Sequence, residues 1–268
     1  MGQARLLYDP NVMFLKDDAE LQNVDLEFRE PLVVPPRATF NQHAIAAVYT
    51  RLGGLFQHLT EKTEVDPANV LAVWFVESGG VPFVPRRSVI RLEVHRLFEL
   101  WGKRNRETFD SHFRFGGHNQ QPGNPWENQE YRTQDSGMYS SVHHNQNSEY
   151  AALTLAQVTA SNELALLCTS IGGCQLLMDN FRMLGYEAAQ EMYDAFQQSE
   201  RNHVLGFFDY CRAKSAPRQG DLLQYLKARD WSSFAKYYNG NGQVATYAAK
   251  LKTGYENAAM LLSRPKLS

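Results

Sequence analysis

The chain has 268 residues, of which 43% are hydrophobic and 21% charged, a composition typical of one large or two small globular domains. The net charge of -2, the pI near 6.5 and the lack of a long lysine and arginine stripe argue against a nucleic-acid partner. Three cysteines cannot form a disulfide framework; Cys168 and Cys174 would pair only if the local backbone allowed it, and the alternative is three reduced, packed thiols.

The N-terminus carries no recognisable targeting signal. Residues 1–20 mix charged and apolar side chains and contain no apolar core of the kind found in signal peptides. No run of about 18 apolar residues exists, so the sequence predicts no membrane insertion. We therefore expect a protein that is made in the cytoplasm and that needs another route if it acts outside.

The first part of the chain predicts an arm followed by two helices. Residues 1–40 read as an irregular N-terminal arm or linker, because Pro31–Arg37 contains three prolines. Apolar residues at helical spacing predict a helix from about Asn41 to Thr60. A second helix should run from Pro67 to Glu77, with Asp66 as its N-cap and proline in its first turn.

The remainder is predicted to be mainly helical. Ser88–Val94 alternates enough to predict a short strand, and a further helix begins at His95. Residues 102–148 are polar and lack a period, which predicts a functional loop or a flap over a groove. Helices are predicted at Tyr150–Val158, Asn162–Ser170, Asp179–Gly185, Glu187–Gln198, Ser199–Lys214, Leu222–Ala228, Trp231–Tyr238 and Val244–Leu262.

Glu77 is the only carboxylate in the apolar stretch Val70–Gly80. Burial at the end of such a helix would disfavour the charged form and raise the pKa of Glu77. A carboxyl group that is still protonated near neutral pH can act as a general acid. The alternative is an ordinary glutamate at a solvated helix end that is closed by two glycines.

Two later stretches accompany Glu77. Gly172–Gln175 is a Gly-x-x-Gln pattern that the prediction places between two helices, and Tyr237–Gly242 combines aromatic, amide and glycine residues at a helix end. By itself, each pattern is a common turn or helix end.

Together and in this order, the three patterns resemble the catalytic core shared by goose-type lysozymes and soluble lytic transglycosylases. They are closer still to the N-acetylmuramidase domain of phage endolysins and of some bacterial cell-wall-degrading effectors. The matching stretches are Val76–Gly80, Leu92–His95, Gly172–Met178, Gly185–Tyr186, Phe234–Gly240 and Tyr247–Leu251. The resemblance covers roughly residues 45–260 and implies a mainly α, lysozyme-like fold with a small β element. We expect the domain to span residues 41–268, with a polar insertion at about 102–148.

Three positions depart from the family pattern. Ile171 stands where a tryptophan is usual, Cys174 precedes the glutamine, and Asp179 stands where glycine is common. These departures bear on the shape of the sugar subsites more than on the chemistry.

The resemblance assigns the role of acid to Glu77. Glycoside cleavage also needs negative charge or a polarised water opposite the oxocarbenium-like centre, and we assign Glu93 to this second role. The alternative for Glu93 is a buried structural ion pair with a neighbouring cation, for which the candidates are Arg86, Arg87, Arg91 and His95. Asp179 is a weaker candidate for the second carboxylate, and its alternative is a helix N-cap.

The residues expected to bind substrate are Ser78, Gln175, Tyr237, Tyr238, Asn239 and Tyr247. The amides would bond N-acetyl or hydroxyl groups, because they donate and accept at once. The tyrosines would stack on sugar faces or hold the acid in place, with core packing as the alternative. The serine hydroxyl would also bond back to its own helix and so shape the position of the acid.

No metal or cofactor is expected. His112, His118, His143 and His144 lack the tight spacing of a zinc site, and isolated loop histidines are usually solvated. Phosphate-binding, nucleophile-elbow and dinucleotide motifs do not occur in the sequence either.

The predicted function is hydrolysis, by a monomer, of the β-1,4 bond between N-acetylmuramic acid and N-acetylglucosamine in peptidoglycan. The alternatives are a lytic transglycosylase that leaves 1,6-anhydro ends, an inactive glycan-binding relative, and a chitinase-like enzyme. A bacteriolytic endolysin would leave the cytoplasm through a phage holin. An antibacterial toxin would be exported by a contact-dependent secretion system. An effector would be accompanied by an immunity protein that plugs the cleft.

Overall fold

The computed structural model describes residues 14–30, 32–216 and 220–263. Helices predominate in this part of the chain, as the mainly α prediction requires. The α-helices are α1 (Ala19–Asn23), α2 (Phe40–Thr63), α3 (Pro67–Ser78), α4 (Val94–Leu100), α5 (Arg106–His112), α6 (Gln146–Thr159), α7 (Asn162–Leu167), α8 (Ala189–Gln198), α9 (Glu200–Ala213), α10 (Leu222–Ala228), α11 (Trp231–Asn239) and α12 (Val244–Leu262). Among the described residues, no helix is both long and apolar enough to cross a bilayer.

The strands are short and form small antiparallel sheets. They are β1 (Phe83–Val84), β2 (Arg87–Ser88), β3 (Ile90–Leu92), β4 (Phe113–Arg114), β5 (Glu130–Tyr131), β6 (Ser140–Ser141), β7 (Thr169–Ile171), β8 (Leu176–Leu177), β9 (Ser215–Ala216) and β10 (Gly220–Asp221). The predicted strand near Ser88–Val94 is therefore present as β3.

The chain divides into two compact units. One contains the described residues up to Pro82, Met183–Gly185 and the described residues from Ser199 onward. The other contains Phe83–Arg182 and Tyr186–Gln198.

Helix α3 is the centre of the first unit. The side chain of Asp66 caps its first turn by accepting the Ala68 N–H at 2.8 Å, and Pro67 occupies the first helical position, as predicted. Every residue from Ala68 to Trp74 is buried, so this part of the helix is surrounded by other elements on all sides.

Helix α12 packs antiparallel against α3. Its buried residues Tyr247, Leu251, Gly254 and Ala258 recur at helical spacing on one face. A Cβ atom at Gly254 would lie only 3.2 Å from Ala72 Cα, so the glycine lets the two helices approach closely. This contact fixes the position of α12 along the axis of α3. It lies two helical turns away from Tyr247.

The N-terminal segment is not irregular throughout. Leu15–Asp17 forms a 3₁₀ helix and α1 follows it, whereas residues 1–13 of the predicted arm lie outside the described residues. Asp209 of α9 accepts the N–H groups of Leu15 at 2.8 Å and Lys16 at 3.1 Å. Burial raises the pKa of Asp209 to about 6, although these bonds oppose the shift. Residues 14–30 showed no helical period in the sequence, because contacts with distant helices order them.

The same segment is bonded to the middle of α2. The Phe28 N–H donates to the Thr50 carbonyl at 2.9 Å, and the Gly54 N–H donates to the Leu26 carbonyl at 3.1 Å. A Cβ atom at Gly54 would lie 2.3 Å from the Asp25 carbonyl oxygen, so only glycine fits here.

The second unit contains the sheet β3–β7–β8. Strand β3 pairs with β7 through one edge, with Arg91 opposite Ser170. Side chains of α6 bond its other edge, since Gln146 accepts the Ile90 N–H and Glu149 accepts the Leu92 N–H, both at 2.9 Å. The prediction of a helix through Ser170 was wrong, because the chain leaves α7 to form β7 and so completes this sheet.

Residues 102–148 are ordered in place of the predicted irregular loop. They contain α5 and the sheet β4–β5–β6, and their Phe109 and Phe115 pack against Phe98 of α4. His118 is buried, stacks on Phe115 and lies 2.7 Å from Asp110, so the expectation of a solvated histidine was wrong there. Strands of two residues are too short to show a period, which is why the prediction missed them.

The three cysteines are buried free thiols. Cys168 and Cys174 do not pair. Burial raises the pKa of Cys168 to about 12, which makes this thiol a packed apolar group rather than a nucleophile.

Candidate active site

Glu77 lies in the last turn of α3 and is partly buried. The hydroxyl group of Tyr247, from α12, donates a hydrogen bond to Glu77 Oε1. This contact has the geometry required for one of the two roles predicted for the tyrosines, namely to hold Glu77 in place. The phenol restricts the rotation of the carboxyl group.

The end of α3 is closed as its sequence predicts. Gly79 has φ of 61° and its N–H bonds to the Phe75 carbonyl at 2.9 Å, so this glycine ends the helix in the left-handed region. The hydroxyl group of Ser78 donates to the Trp74 carbonyl at 3.0 Å, the structural bond expected for it. A backbone bond at Gly79 and the hydroxyl group of Ser78 thus close the last turn, which carries Glu77.

Glu93 lies in the second unit, between β3 and α4, where its N–H donates to the Cys168 carbonyl at 2.8 Å. Arg91 Nε donates to Glu93 Oε1 at 2.8 Å, and Gln129 Nε2 donates to Glu93 Oε2 at 3.0 Å. His95 Nδ1 is 3.5 Å from the same Oε2. The ion pair weighed as an alternative role for Glu93 is thus present.

This environment keeps Glu93 ionised. Burial acts to raise the pKa of Glu93, but Arg91, Gln129 and His95 together outweigh it and hold the pKa below its ordinary value of 4.5. Burial lowers the pKa of His95 despite the nearby carboxylate. The site therefore presents a carboxylate, not a second acid, at neutral pH.

Gln129 is a part of this site that the sequence did not reveal. It is buried, and its Oε1 accepts the Val94 N–H while its Nε2 binds Glu93. Gln129 comes from the polar stretch 102–148, where one amide among many carries no distinguishing pattern. Only the fold shows which of them reaches the carboxylate.

Gln175 lies in the turn between β7 and β8, not between two helices as predicted. Its φ is 49°, in the left-handed region, and its Nε2 donates to the Gly172 carbonyl at 2.9 Å. A weaker bond reaches the Val89 carbonyl at 3.4 Å. The amide nitrogen thus stabilises the hairpin turn, a use that the prediction did not include.

The aromatic residues at the end of α11 have different surroundings. Tyr238 is half-buried, stacks on Phe234 and meets Phe207 edge-on, with ring centroids at 5.0 and 5.9 Å. Tyr237 stacks on Tyr225 at 5.7 Å. Asn239 is the last residue of α11 and is exposed.

The candidates that remain are Asp179 and a metal site. Asp179 is paired with Arg96 at 3.0 Å on the surface, with about half of its side chain exposed, and lies in the 3₁₀ helix Met178–Leu184 in place of the predicted α-helix. Within the described part of the chain, no three histidine, cysteine or acidic side chains are grouped to hold a metal ion.

A cavity of about 800 Å³ opens at the other end of α3. Its lining includes Asp66, Pro67, Tyr49 and Leu261, but not Glu77. Since Pro67 and Glu77 are about 15 Å apart along the helix, this cavity is not part of the candidate active site.

The mainly α, lysozyme-like fold predicted from the sequence is confirmed, and it presents the Glu77 carboxyl group at the end of a buried helix. The family model for N-acetylmuramidase matches residues 66–259, and the chain belongs to this family of peptidoglycan-degrading enzymes. The crystal structure of the Burkholderia AP3 phage endolysin has a similar fold, with a TM-score of 0.55 and 24% identity over 82% of this chain and 71% of that chain. No curated protein sequence matches the chain.

Proposed function

We propose that the protein hydrolyses the β-1,4 bond between N-acetylmuramic acid and N-acetylglucosamine, with Glu77 as the general acid. The observation that carries this proposal is the hydrogen bond from Tyr247 to Glu77 Oε1 at the end of a helix that is otherwise buried. With the phenol orienting it, the protonated carboxyl group would donate its proton to the glycosidic oxygen of the leaving sugar.

Glu93 is proposed as the second carboxylate. The transition state carries positive charge on the sugar, and an ionised carboxylate can stabilise that charge or orient the attacking water. Arg91 and Gln129 keep Glu93 ionised and fix its two oxygens, which suits either role. The same contacts also suit a purely structural ion pair, so the kinetics of a Glu93 variant decide between the two.

Amide and aromatic residues are proposed to bind the glycan. Asn239 is exposed at the end of α11, and its side chain would bond N-acetyl or hydroxyl groups. Gln175 would use its carbonyl oxygen, since its nitrogen bonds the hairpin backbone. Tyr237 would stack on a sugar face, whereas Tyr238 supports the helix end.

Digestion of purified peptidoglycan in water enriched in oxygen-18, followed by mass spectrometry, tests the type of reaction. Hydrolysis should place one heavy oxygen at each new reducing N-acetylmuramic acid. Unlabelled 1,6-anhydro ends would instead identify a lytic transglycosylase. Binding to the polymer without release of fragments would identify an inactive glycan-binding relative.

The biological setting that we propose is bacterial lysis by a phage endolysin, because the solved structure with a similar fold is named as one. Such a protein would reach the cell wall through a holin pore. Expression with an added secretion signal should lyse a host cell, while the same chain kept in the cytoplasm should not. An antibacterial effector with an immunity protein is the rival setting, and protection by a protein encoded beside it would favour that setting.

Tyr247→Phe should lower kcat by about tenfold with little change in KM, because it removes the hydroxyl group that orients the acid. Tyr255→Phe is the matched control on the same helix, since the ring of Tyr255 packs against Trp231. Turnover should be measured on soluble peptidoglycan fragments. Equal kcat values for the two variants would refute the positioning role of Tyr247.

Glu93→Gln should lower kcat by about a hundredfold and the free energy of unfolding at pH 7 by about 1–2 kcal/mol. Because the pKa of Glu93 is lowered by folding, its stabilising effect is present above pH 4.5 and is lost as the pH falls through the folded pKa. The difference in the free energy of unfolding between Glu93→Gln and the wild type should therefore disappear below the folded pKa. Urea unfolding at pH 7 and at that acid pH measures the difference.

Glu99→Gln, which alters an exposed pair with Lys103, is the control for Glu93→Gln. It should change neither turnover nor stability appreciably. If Glu93→Gln loses stability but keeps wild-type turnover per folded molecule, Glu93 is a structural ion pair only.

A further inference from the structure

An arginine of α2 contacts the turn that follows Glu77. Arg51 Nη2 donates to the Gly80 carbonyl at 3.1 Å. The same guanidinium group forms a two-pronged pair with Glu200 of α9, with Nε to Oε2 at 3.1 Å and Nη2 to Oε1 at 3.0 Å. One planar group thus connects the end of α3 to two other helices of its unit.

The contact is reinforced by packing one turn away on α2. A Cβ atom at Gly80 would lie 2.9 Å from Val48 Cγ2, so α2 presses directly on this turn. Val48 and Arg51 are three residues apart and lie on the same face of α2. The side chain of Val48 therefore limits the turn from one side while Arg51 holds its carbonyl.

Glu200 is suited to orient the arginine. It is the first residue of α9, where a carboxylate is favoured by the helix dipole, and 14% of its side chain is exposed. Both of its oxygens accept hydrogen bonds from the guanidinium group of Arg51. This pair orients the guanidinium so that its third hydrogen bond reaches the Gly80 carbonyl. A lysine at position 51 would offer a point charge and could not keep this planar arrangement.

We propose that Arg51, oriented by Glu200, is a positioning residue that fixes the position of the Glu77 carboxyl group. Gly80 is three residues beyond Glu77, so a shift of its carbonyl would be transmitted to the last turn of α3 and to Glu77. A displacement of about 1 Å at a catalytic group can cost about a hundredfold in rate. This proposal rests on the role of Glu77 as the acid.

The test compares Arg51→Lys, Glu200→Gln and the double variant on soluble peptidoglycan fragments. Arg51→Lys should lower kcat by about tenfold or more, with KM within about twofold of the wild type. Glu200→Gln keeps the size of the side chain and should lower kcat less. The double variant should have the same kcat as Arg51→Lys, because both substitutions disrupt the same interaction and their effects do not add.

Arg201→Lys is the matched control, because the neighbouring Arg201 also donates to backbone carbonyls, those of Leu21 and Val24 in the N-terminal segment. It should leave kcat unchanged even if it lowers the melting temperature. Wild-type kcat in Arg51→Lys, with Glu77→Gln inactive, would overturn the positioning role alone. Activity in Glu77→Gln would overturn the proposed function and this inference with it.

Discussion

Glu77→Gln should lower the turnover of peptidoglycan by at least about a thousandfold while the protein stays folded. Glutamine has nearly the same shape and its carbonyl oxygen can still accept the hydrogen bond from Tyr247. It has no acidic proton, so the leaving sugar would depart as an unprotonated alkoxide. The loss should therefore fall on kcat and leave glycan binding in place.

The controls separate lost chemistry from lost folding. The melting temperature and near-ultraviolet circular dichroism of Glu77→Gln should match those of the wild type, and it should still sediment with insoluble peptidoglycan. Glu256→Gln changes an exposed glutamate of α12 and should retain full activity. A Glu77→Gln protein with more than about a tenth of wild-type turnover would exclude Glu77 as the acid.

The second large effect concerns stability. Gly54→Ala should lower the free energy of unfolding by about 2–4 kcal/mol, because the new Cβ would lie 2.3 Å from the Asp25 carbonyl oxygen and 2.8 Å from that of Glu27. These are backbone atoms that cannot move aside alone. Ordinary helix propensity favours alanine over glycine by up to about 1 kcal/mol, so the sign of the change is diagnostic.

Gly242→Ala is the control for Gly54→Ala, since a Cβ at Gly242 has no atom within 4 Å. It should be neutral or slightly stabilising. Urea unfolding gives the free energies, and limited proteolysis should show faster cleavage near residues 24–30 in Gly54→Ala only. Equal stability of the two variants would mean that the N-terminal segment is not fixed to α2 as described.

Local signals predicted much of the first unit. The capping pair Asp66-Pro67 and the glycine stop at Gly79 bound α3 correctly, because caps and stops depend on neighbouring residues alone. The apolar period placed α12 at Val244–Leu262, as observed. The order of the motifs around Glu77 indicated the family that the family model shows.

Features that depend on distant contacts could not be predicted in this way. Helix α1 is stabilised by contacts with α2 and α9, and the segment that contains it shows no period. Strand β7, which leads into the Gly172–Gln175 turn, pairs with β3, about 80 residues earlier in the chain. Gln129 likewise reaches Glu93 across 36 residues of sequence. In each case the missing information was which parts of the chain meet.

The most direct test of the central claim is mass spectrometry of the fragments released from purified peptidoglycan by the wild type and by Glu77→Gln at equal concentrations of folded protein. The wild type should release fragments that end in reducing N-acetylmuramic acid, and Glu77→Gln should release none above the blank without enzyme. The same fragments at the same rate from both proteins would contradict the assignment of Glu77 as the acid that cleaves the glycan.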